Sequence, residues 1–517
     1  MKKSLIVILC GIAAPFTFAS TPWVLIPDIV GMTLPQAEQT LVLGGLITGT
    51  ISYEFDNIVA KDEIILQNPA AGTGLPAGSS IDVIISLGTN YGGGDGSAGN
   101  PFQIWTAEQM NTIGLYTEHW NKCFKLMTDI DMSAYTDIQY NIIGHQTSKF
   151  TGTFDGNKHV IRNLTYENKN TNLIYSVGLF GYTNGSTIKD LGIEDIYFYV
   201  HSFYVGGLAG IQENSNNINC YTTGSMILFS SYNFSIGAGG LVGSNVQCTN
   251  ENCFSDCSLD LFHHGEVYAG GLIGMQGYNS FIKNCCSRGS VCSIAFDKGG
   301  CGNHAGGLFG YAQGNIQKCY SASQVYAYGG LTVYQGGFAA RTDGPISSCF
   351  WDVNSSGLTN AIAYGYSSTF PVGKTTAEMN THSTFYYGEW DLVGETVNGS
   401  DDIWRMCADG RDYPRLWYEF AKGDLVCPDG VDLEDLYILA SQWLCKKLDY
   451  DYYRYDHKHT VNFLDFNVFA DSWTYHKSEL ASFFNEWLQY DAYNGNIAGD
   501  NIVNTIDFAA LAENWMR

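Results

Sequence analysis

The chain has 517 residues, with 51 acidic and 26 basic side chains and a formal net charge of -25. Nucleic-acid binding depends on Lys and Arg side chains that neutralise phosphates, so this acidity argues against a nucleic-acid partner and against docking on an anionic membrane surface. Apolar residues make up 45 %, charged residues only 15 %, and Gly reaches 59. This composition favours an ordered, mainly β protein with many turns.

The first twenty residues are typical of an export signal. Lys2 and Lys3 form a charged start, and residues 5–14 are the apolar stretch. Thr17 and Ala19 place small residues at the -3 and -1 positions of a cleavage site. The apolar run is too short to span a bilayer, and no later stretch is long enough. We therefore expect residues 1–20 to be a signal peptide on a secreted, extracellular or cell-surface protein without a transmembrane segment.

Residues 24–88 have the pattern of a small α+β domain. Thr33 and Gln36 have the spacing of a capping box, which predicts a helix starting there. Three strand-like runs follow, at residues 48–55, 63–67 and 80–86. One helix and three strands are enough for a two-layer domain.

This segment resembles a PASTA domain along its whole length. The matching turns are Pro27-Asp28, the NPAAG run at residues 68–72 and the PAG run at residues 76–78. Some PASTA domains bind peptidoglycan stems and others act as spacers, so the resemblance implies contact with cell-wall glycopeptide or a spacer role. PASTA domains are often joined to kinases or penicillin-binding proteins, but no kinase motif follows here.

After a flexible, Gly-rich linker predicted at residues 89–100, a Gly-Gly-Leu type of turn recurs every 29 to 36 residues. The turns are Val177-Gly178-Leu179, Gly206-Gly207-Leu208, Gly239-Gly240-Leu241, Gly270-Gly271-Leu272, Gly306-Gly307-Leu308 and Gly336-Gly337-Phe338. Each unit alternates apolar and polar residues and cannot bury its own apolar side, so neighbouring units must stack. We predict a right-handed parallel β-helix, with Gly supplying positive φ at the corners and the following Leu or Phe in the core.

A second ladder of equivalent positions follows each turn. Its members are Leu191, Cys220, Cys253, Cys285, Cys319 and Cys349. Leu in the first unit favours a buried apolar slot in which Cys is a small hydrophobe; disulfides between coils and a soft-metal site are the alternatives. The cysteines outside the ladder are better disulfide candidates: Cys248, Cys257, Cys286, Cys292 and Cys301.

The turns resemble the GLUG motif, and the resemblance covers residues 101–421. We divide this part into a GLUG-repeat β-helix at residues 101–360 and a C-terminal cap at residues 361–421. The flanking segments would cover the open ends of the β-helix. GLUG arrays occur on bacterial surface and secreted proteins, sometimes beside peptidase domains, so the resemblance implies a surface location.

Residues 422–517 carry a different repeat of nine residues. Each copy has Asp and an apolar residue at positions 1 and 2, an apolar residue and Ala at positions 5 and 6, and Trp at position 9. The repeats begin at Asp435, Asp465 and Asp507. Their spacing places the apolar residues on one helical stripe. The pattern resembles dockerin type I segments, which are half EF-hands with a calcium loop before each helix. The resemblance implies an α-helical domain that attaches to a cohesin-like protein.

Calcium requires six to eight oxygen ligands from such loops. The candidate metal ligands are Asp424, Asp429, Asp432, Asp435, Asn496, Asp500, Asn504 and Asp507. The middle loop has Arg454 and Lys458 at ligand positions, so we expect no site there. Because each remaining loop has only part of the usual set of ligands, we expect weak calcium binding at millimolar levels. The alternative is a helical bundle whose loop acids only cap helix N-termini.

Catalysis on a β-helix would need clustered carboxylates together with Arg or Lys. Carboxylates are sparse between residues 175 and 345, and His263-His264 with Glu266 is the local cluster of interest. It lacks the spacing that places two His ligands on one helical face, so we interpret it as a turn with solvated His. No phosphate-binding loop, nucleophile elbow or dinucleotide motif is present.

Together these patterns predict a secreted or cell-surface binding and adhesion protein without catalysis. The PASTA unit would contact cell-wall peptidoglycan, the β-helix would present an extended Tyr- and Asn-rich face suited to glycans, and the C-terminal domain would bind a cohesin-like partner. The alternative is a carbohydrate-active enzyme, a polysaccharide lyase or hydrolase, that uses the groove of the β-helix.

Overall fold

The computed structural model describes residues 22–420 except 55, 57–58, 87, 89, 170–172, 231–234, 297–301, 394–396 and 407–409. The predicted signal peptide and the predicted dockerin-like domain at residues 422–517 lie outside the described residues. The chain divides into two compact units, the first ending at Asp95. Within the described residues, no helix has the length and hydropathy needed to cross a bilayer.

The first unit is the small two-layer domain expected from the sequence. Its elements are β1 (Trp23–Leu25), α1 (Leu34–Leu43), β2 (Ile47–Glu54), β3 (Ile64–Asn68), β4 (Gly74–Pro76) and β5 (Ser80–Ser86). β5 lies between β2, to which it is parallel, and antiparallel β3, while β1 pairs with β4. The backbone N–H of Thr33 donates to Oε1 of Gln36 (3.0 Å) where α1 begins. Leu41, Ile64 and Ile81 are buried in its core.

The second unit opens with short strands and turns. They are β6 (Phe102–Ile104), α2 (Ala107–Thr112), the 3-10 turns Ile113–Leu115 and Thr117–His119, β7 (Cys123–Leu126), β8 (Ile130–Asp131), β9 (Thr153–Asp155), β10 (Val160–Arg162) and β11 (Thr165–Glu167). The last residues of the predicted linker belong to this unit, because the N–H of Cys123 donates to the carbonyl of Gly96 (2.9 Å).

The repeats then build a parallel β-solenoid of about nine turns. Its strands are β12 (Ile174–Val177), β13 (Phe180–Asn184), β14 (Thr187–Gly206), β15 (Ala209–Glu213), β16 (Asn216–Ser230), β17 (Ile236–Gly239), β18 (Val242–Val246), β19 (Thr249–Glu251), β20 (Phe254–His263), β21 (Val267–Gly270), β22 (Ile273–Gln276), β23 (Phe281–Lys283), β24 (Cys286–Ser287), β25 (Ser290–Ala295), β26 (Gly302–Gly306), β27 (Phe309–Ala312), β28 (Asn315–Gln317), β29 (Tyr320–Ser321), β30 (Gln324–Gly329), β31 (Thr332–Gly336), β32 (Ala339–Thr342), β33 (Ile346–Ser347) and β34 (Phe350–Asp352).

The remaining elements end the solenoid. They are α3 (Val353–Ser356), β35 (Ile362–Gly365), β36 (Val372–Lys374), α4 (Thr376–Met379), α5 (His382–Tyr386), β37 (Trp404–Arg405), β38 (Arg415–Leu416) and the 3-10 turn Trp417–Glu419.

Each coil contributes to three parallel sheets. Sheet I is β13-β15-β18-β22-β27-β32-β35. Sheet II contains most of β14 and β16, followed by β19, β20, β23, β24, β25, β28, β29, β30, β33, β34 and β36. Sheet III contains β12, the end of β14, β17, β21, β26 and β31. The fold is therefore mainly β, with the predicted parallel architecture.

The Gly-rich turns join sheet III to sheet I. The residues after each Gly pair are fully buried, as predicted: Leu179, Leu208, Leu241, Leu272, Leu308 and Phe338. The predicted role of Gly was wrong in one respect, because Gly239 and Gly306 do not have positive φ. They are needed because a Cβ would overlap the backbone carbonyls of Val242 and Phe309. Close approach of neighbouring strands thus explains these glycines.

Positive φ occurs instead at a corner within sheet II. The residues there have φ between 51° and 53°: Asp190, Asn219, Asn252, Asn284, Lys318 and Ser348. The side chains from Asp190 to Asn284 form a ladder, in which the amide of Asn252 donates to Asn219 (3.1 Å) and the amide of Asn284 donates to Asn252 (3.0 Å). Asn tolerates this conformation better than most residues, so the ladder stabilises the corner and links successive coils.

The cysteine ladder lies directly after this corner. All five thiols of the ladder are buried, which confirms the predicted core position. The S–H group of Cys285 points to the carbonyl of Lys283 (3.2 Å), and the thiol of Cys349 points to Ser347 in the same way (3.2 Å). The described cysteines are free thiols in this structure.

Among the described cysteines outside the ladder, none faces another, so the structure does not support them as disulfide partners of one another. Cys257 lies opposite Gly224, Cys292 lies between Asp260 and Tyr326, and Cys286 lies between Phe254 and Tyr320. Cys248 is also a free, buried thiol. Burial raises the pKa of Cys248 and Cys257 to about 11. Cys301 lies outside the described residues.

Residues 376–420 turn back along the solenoid, and we call them the side segment. They cover an outward-facing row of sheet II: Tyr221, Phe254, Cys286, Tyr320 and Phe350. The hydroxyl of Tyr418 donates to the carbonyl of Asn252 (2.7 Å), and that of Tyr320 donates to Pro414 (2.8 Å). The predicted cap thus covers a side of the solenoid in addition to extending its sheets.

A buried ion cluster fixes the side segment to the solenoid. The guanidinium of Arg288 pairs with Asp256 (2.9 Å) and with Glu419. The side chains of Arg288 and Glu419 are only 7 % and 5 % exposed. The two neighbouring carboxylates offset the desolvation of the cation, so the pKa of Arg288 stays above its usual value despite burial.

Candidate functional site

The eight predicted calcium ligands lie outside the described residues. The solenoid itself offers another candidate site on sheet II, on the half that the side segment leaves uncovered. There, alternate residues of β14, β16, β20, β25 and β30 point outward, while the residues between them fill the core. We call the following outward side chains the aromatic face: Tyr199, His201, Phe229, Phe262, Phe296, Tyr326 and Tyr328.

The parallel register creates this face. His201 lies beside Phe229, and Phe229 lies beside Phe262. The ring centroids of Phe229 and Phe262 are 5.2 Å apart with planes at 15°, and those of Phe262 and Phe296 are 6.2 Å apart at 17°. His201 stacks on Phe229 at 5.4 Å. One ring per coil therefore gives a continuous aromatic ridge.

The ridge ends in exposed rings. Phe296 is 57 % exposed, Tyr326 is 56 % exposed and Tyr328 is 66 % exposed. By contrast, Tyr320 of the same sheet is completely buried beneath the side segment. Several exposed rings on neighbouring coils of a folded protein are typical of a binding surface.

A groove of about 370 Å³ borders the ridge where α3 approaches β30. Its lining residues are Ser290, Val291, Cys292, Gln324, Val325, Tyr326, Ser355 and Ser356. They supply one aromatic ring, several hydroxyls and an amide, and none of them is charged. Aromatic faces combined with neutral hydrogen-bonding groups suit ligands that are apolar on one side and hydroxylated on the other.

A second cluster lies on sheet III and includes one residue that the sequence singled out. Glu266 accepts a hydrogen bond from the hydroxyl of Tyr268 (2.9 Å) and lies 3.5 Å from Nε2 of His304. His304 comes from the next coil, opposite Tyr268. The prediction that His263 is solvated was wrong, because it is buried and its ring lies 3.2 Å from the hydroxyl of Ser293.

Three residues of sheet I adjoin this cluster. Arg341 pairs with Asp343 (3.0 Å) and lies 4.7 Å above the ring of Tyr311, whose hydroxyl also donates to Asp343 (2.9 Å). Burial lowers the pKa of His304 to about 4, and Glu266 opposes this effect. Burial and Asp343 raise the pKa of Tyr311 to about 12. The cluster thus holds a neutral imidazole between a carboxylate and a cation.

Sequence reasoning missed this grouping because its members are distant along the chain. Glu266 and His304 belong to different coils, and Arg341 belongs to a third. Their proximity depends on a register that varies with loop length in each coil. The available signal was the repeat itself, since aligning the Gly pairs places Tyr268 and His304 at equivalent positions.

The molecule is thus a parallel β-solenoid with exposed aromatic residues, and a small α+β domain precedes it. Residues 24–87 match the PASTA domain family, which confirms the resemblance seen in the sequence. This match indicates an extracellular or cell-surface protein. The assignments to GLUG and dockerin families stay predictions.

Comparisons with known proteins give partial similarities. Halomucin from Haloquadratum walsbyi is 29 % identical over 177 residues, which is 32 % of this chain and 2 % of halomucin. The chain thus spans a very small part of this relative. A candidate immunoglobulin A1 protease from Bacteroides ovatus is 18 % identical, covering 64 % of this chain and 96 % of its own, with a TM-score of 0.44. The extracellular region of the kinase PrkC from Staphylococcus aureus is 35 % identical over 12 % of this chain and 22 % of its own, with a TM-score of 0.12.

Proposed function

We propose that the protein is a secreted or cell-surface binding and adhesion protein that attaches to glycans without catalysis. The observation that carries this proposal is the aromatic face. One half of sheet II is covered by the side segment, whereas the other half leaves Phe296, Tyr326 and Tyr328 in water. Covering such rings with the apolar faces of sugars would lower their free energy, and the groove beside Tyr326 offers neutral hydrogen-bonding groups to sugar hydroxyls.

The other parts extend this role. The PASTA unit would bind cell-wall peptidoglycan, in keeping with the match of residues 24–87. Residues 422–517 would attach the protein to a cohesin-like partner, with weak calcium binding in the loops around Asp435 and Asp507. The protein would then bridge a cell wall, a glycan and a protein partner.

Binding of the full chain to soluble polysaccharides tests the solenoid separately from the PASTA unit. Polysaccharides without stem peptides remove the ligand expected for PASTA, so titration calorimetry with neutral and acidic polysaccharides reports the aromatic face. The double variant Phe296→Ala and Tyr326→Ala should weaken binding at least tenfold, since burying each ring contributes on the order of 1.5–3 kcal/mol. Tyr387→Ala is the control, because this exposed ring lies on the side segment. The proposal fails if no polysaccharide binds or if the double variant binds normally.

The cluster around Glu266 favours a second candidate function, a carbohydrate-active enzyme. Glu266 offers an exposed carboxylate, His304 a neutral imidazole and Arg341 a cation that could pair with an acidic sugar. Incubation with acidic polysaccharides would then produce new reducing ends or unsaturated products, and Glu266→Gln would abolish them. If the full chain forms no products, the enzyme hypothesis is wrong and binding is the function that remains.

A further inference from the structure

Two strands at the C-terminal end of the solenoid have a described neighbour on one side only. β30 pairs with β25, and β31 pairs with β26. In the next coil α3 takes the place of a strand. Elsewhere the sheets continue, because β32 of sheet I pairs with β35 and β34 of sheet II pairs with β36. The lining of the groove places α3 beside residues 324–326. Residues 327–336 therefore form what we call the open edge. No described strand pairs with its outer side, and of its backbone groups the carbonyl of Ala327 accepts a hydrogen bond from the side-chain amide of Gln335 (3.0 Å).

The composition of the open edge is unusual for an unprotected strand. No charged residue lies between Lys318 and Arg341. Tyr328 is 66 % exposed, Leu331 is 65 % exposed and Val333 is 41 % exposed. Natural proteins protect free edges with charges, Pro or bulges, because unpaired backbone groups recruit other strands. An apolar edge without such protection is suited to pairing.

The opposite end of the solenoid is charged. Lys169 pairs with Glu167 of β11 (2.6 Å) and approaches Asp137 (3.9 Å). If the open edge of one copy stacked on this charged end of a second copy, the ions would lose their water without gaining new partners. Such an arrangement is unfavourable. Contact between two open edges brings only apolar and neutral groups together, and it closes after two copies.

We propose that the open edge pairs with the open edge of a second copy of this chain, forming a symmetric dimer. A two-fold axis near Leu331 makes the paired strands antiparallel, so β30 of each copy lies against β31 of the other. This pairing uses backbone groups and leaves Tyr326 and Tyr328 on the outer surface. The dimer itself does not depend on glycan binding.

The charge of the chain predicts how the dimer responds to salt. Each copy carries a net charge of -25, so the copies repel each other except where the uncharged edges meet. Salt screens this repulsion, since the Debye length is about 8 Å at physiological ionic strength. The dimer should therefore become tighter as salt increases, whereas an interface held by ion pairs would weaken.

Sedimentation equilibrium of the full chain over a range of concentrations tests the proposal. We expect a reversible monomer–dimer equilibrium that is tighter at high salt. Leu331→Lys should weaken it at least tenfold, because it places two like charges at the axis. Leu115→Lys is the matched control, since Leu115 is equally exposed but lies in the opening segment of the second unit; it should leave the equilibrium unchanged.

Several results would overturn the proposal. They are a monomer at every concentration, a dimer that Leu331→Lys does not weaken, and growth beyond dimers, which would indicate head-to-tail stacking. Hydrogen exchange of the unmodified chain covers the case in which the variant does not fold. Amides of β31 should exchange more slowly as concentration rises. Protection that does not depend on concentration would show that residues 421–517 of the same chain, or α3, cover the edge.

Discussion

His304 gives the solenoid a sensitivity to acid whose size follows from its surroundings. Its ring lies 4.5 Å from the ring of Tyr268 and 4.7 Å from that of Tyr334, and the residue is only 5 % exposed. Burial lowers its pKa from 6.5 to about 4. Because the pKa is lower in the folded state, protonation favours unfolding. The stability that His304 contributes is complete above pH 6.5 and is lost as the pH falls towards 4.

The magnitude can be estimated from this shift. One pKa unit corresponds to about 1.4 kcal/mol, so protonation of His304 should lower the free energy of unfolding by about 2 kcal/mol between about pH 7 and about pH 4.5. His304→Phe preserves the stack of rings and removes the titrating group. Urea unfolding of both proteins at several pH values measures the difference. The variant should lose about 2 kcal/mol less than the original protein on acidification.

A second histidine on the solenoid supplies the control. His264→Phe also replaces a histidine by an aromatic ring, next to Phe296 (5.4 Å). It should not reproduce the effect of His304→Phe. If the original protein and His304→Phe show the same pH dependence of unfolding, the stacked imidazole is not the source of the acid sensitivity and the reasoning is refuted.

Other perturbations give further tests. Leu272→Asp should unfold the neighbouring coils, because it places a charge in a fully buried position; an unchanged thermal melt would contradict the inward placement. Asn252→Ala should lower the free energy of unfolding by about 1–2 kcal/mol through strain at positive φ and loss of ladder hydrogen bonds, with Asn252→Gly as the milder comparison. Glu419→Gln should cost about 3 kcal/mol in urea unfolding, since buried Arg288 loses a charged partner. Asp507→Ala should reduce the gain in melting temperature that millimolar calcium gives the full chain; equal melting with calcium and with chelator would contradict calcium binding.

The repeat spacing was sufficient to predict the parallel solenoid and its buried Leu and Cys positions. The burial of the recurring Gly pairs could be predicted without knowing the strand register, because it follows from the stacking of the coils alone. The corner residues could not be assigned in this way. Asn219, Asn252 and Asn284 follow the second Gly of their units by 12, 12 and 13 residues. Lys318 and Ser348 hide the pattern, because positive φ has no fixed residue type.

The candidate site was harder to predict than the fold. The sequence indicated a face rich in aromatic residues, but the loops of each coil differ in length, so which rings align could not be read from spacing. Phe229 and Phe262 meet because the parallel register of β16 and β20 places them opposite each other. For the same reason His304 was not connected with Glu266, and residues 376–420 gave no indication that they cover a side of the solenoid.

The side segment also determines when folding can be completed. Coils of a solenoid can add to one another as the chain is synthesised, since each contacts mainly its neighbours. The row from Tyr221 to Phe350, however, receives its cover from residues that are made later. The separation is 166 residues in the contact of Asn252 with Tyr418 and 131 residues in that of Arg288 with Glu419. Until then this apolar strip faces water and can attract other unfinished chains. Docking of the side segment therefore comes after these coils have stacked, and it makes the coils it spans unfold together.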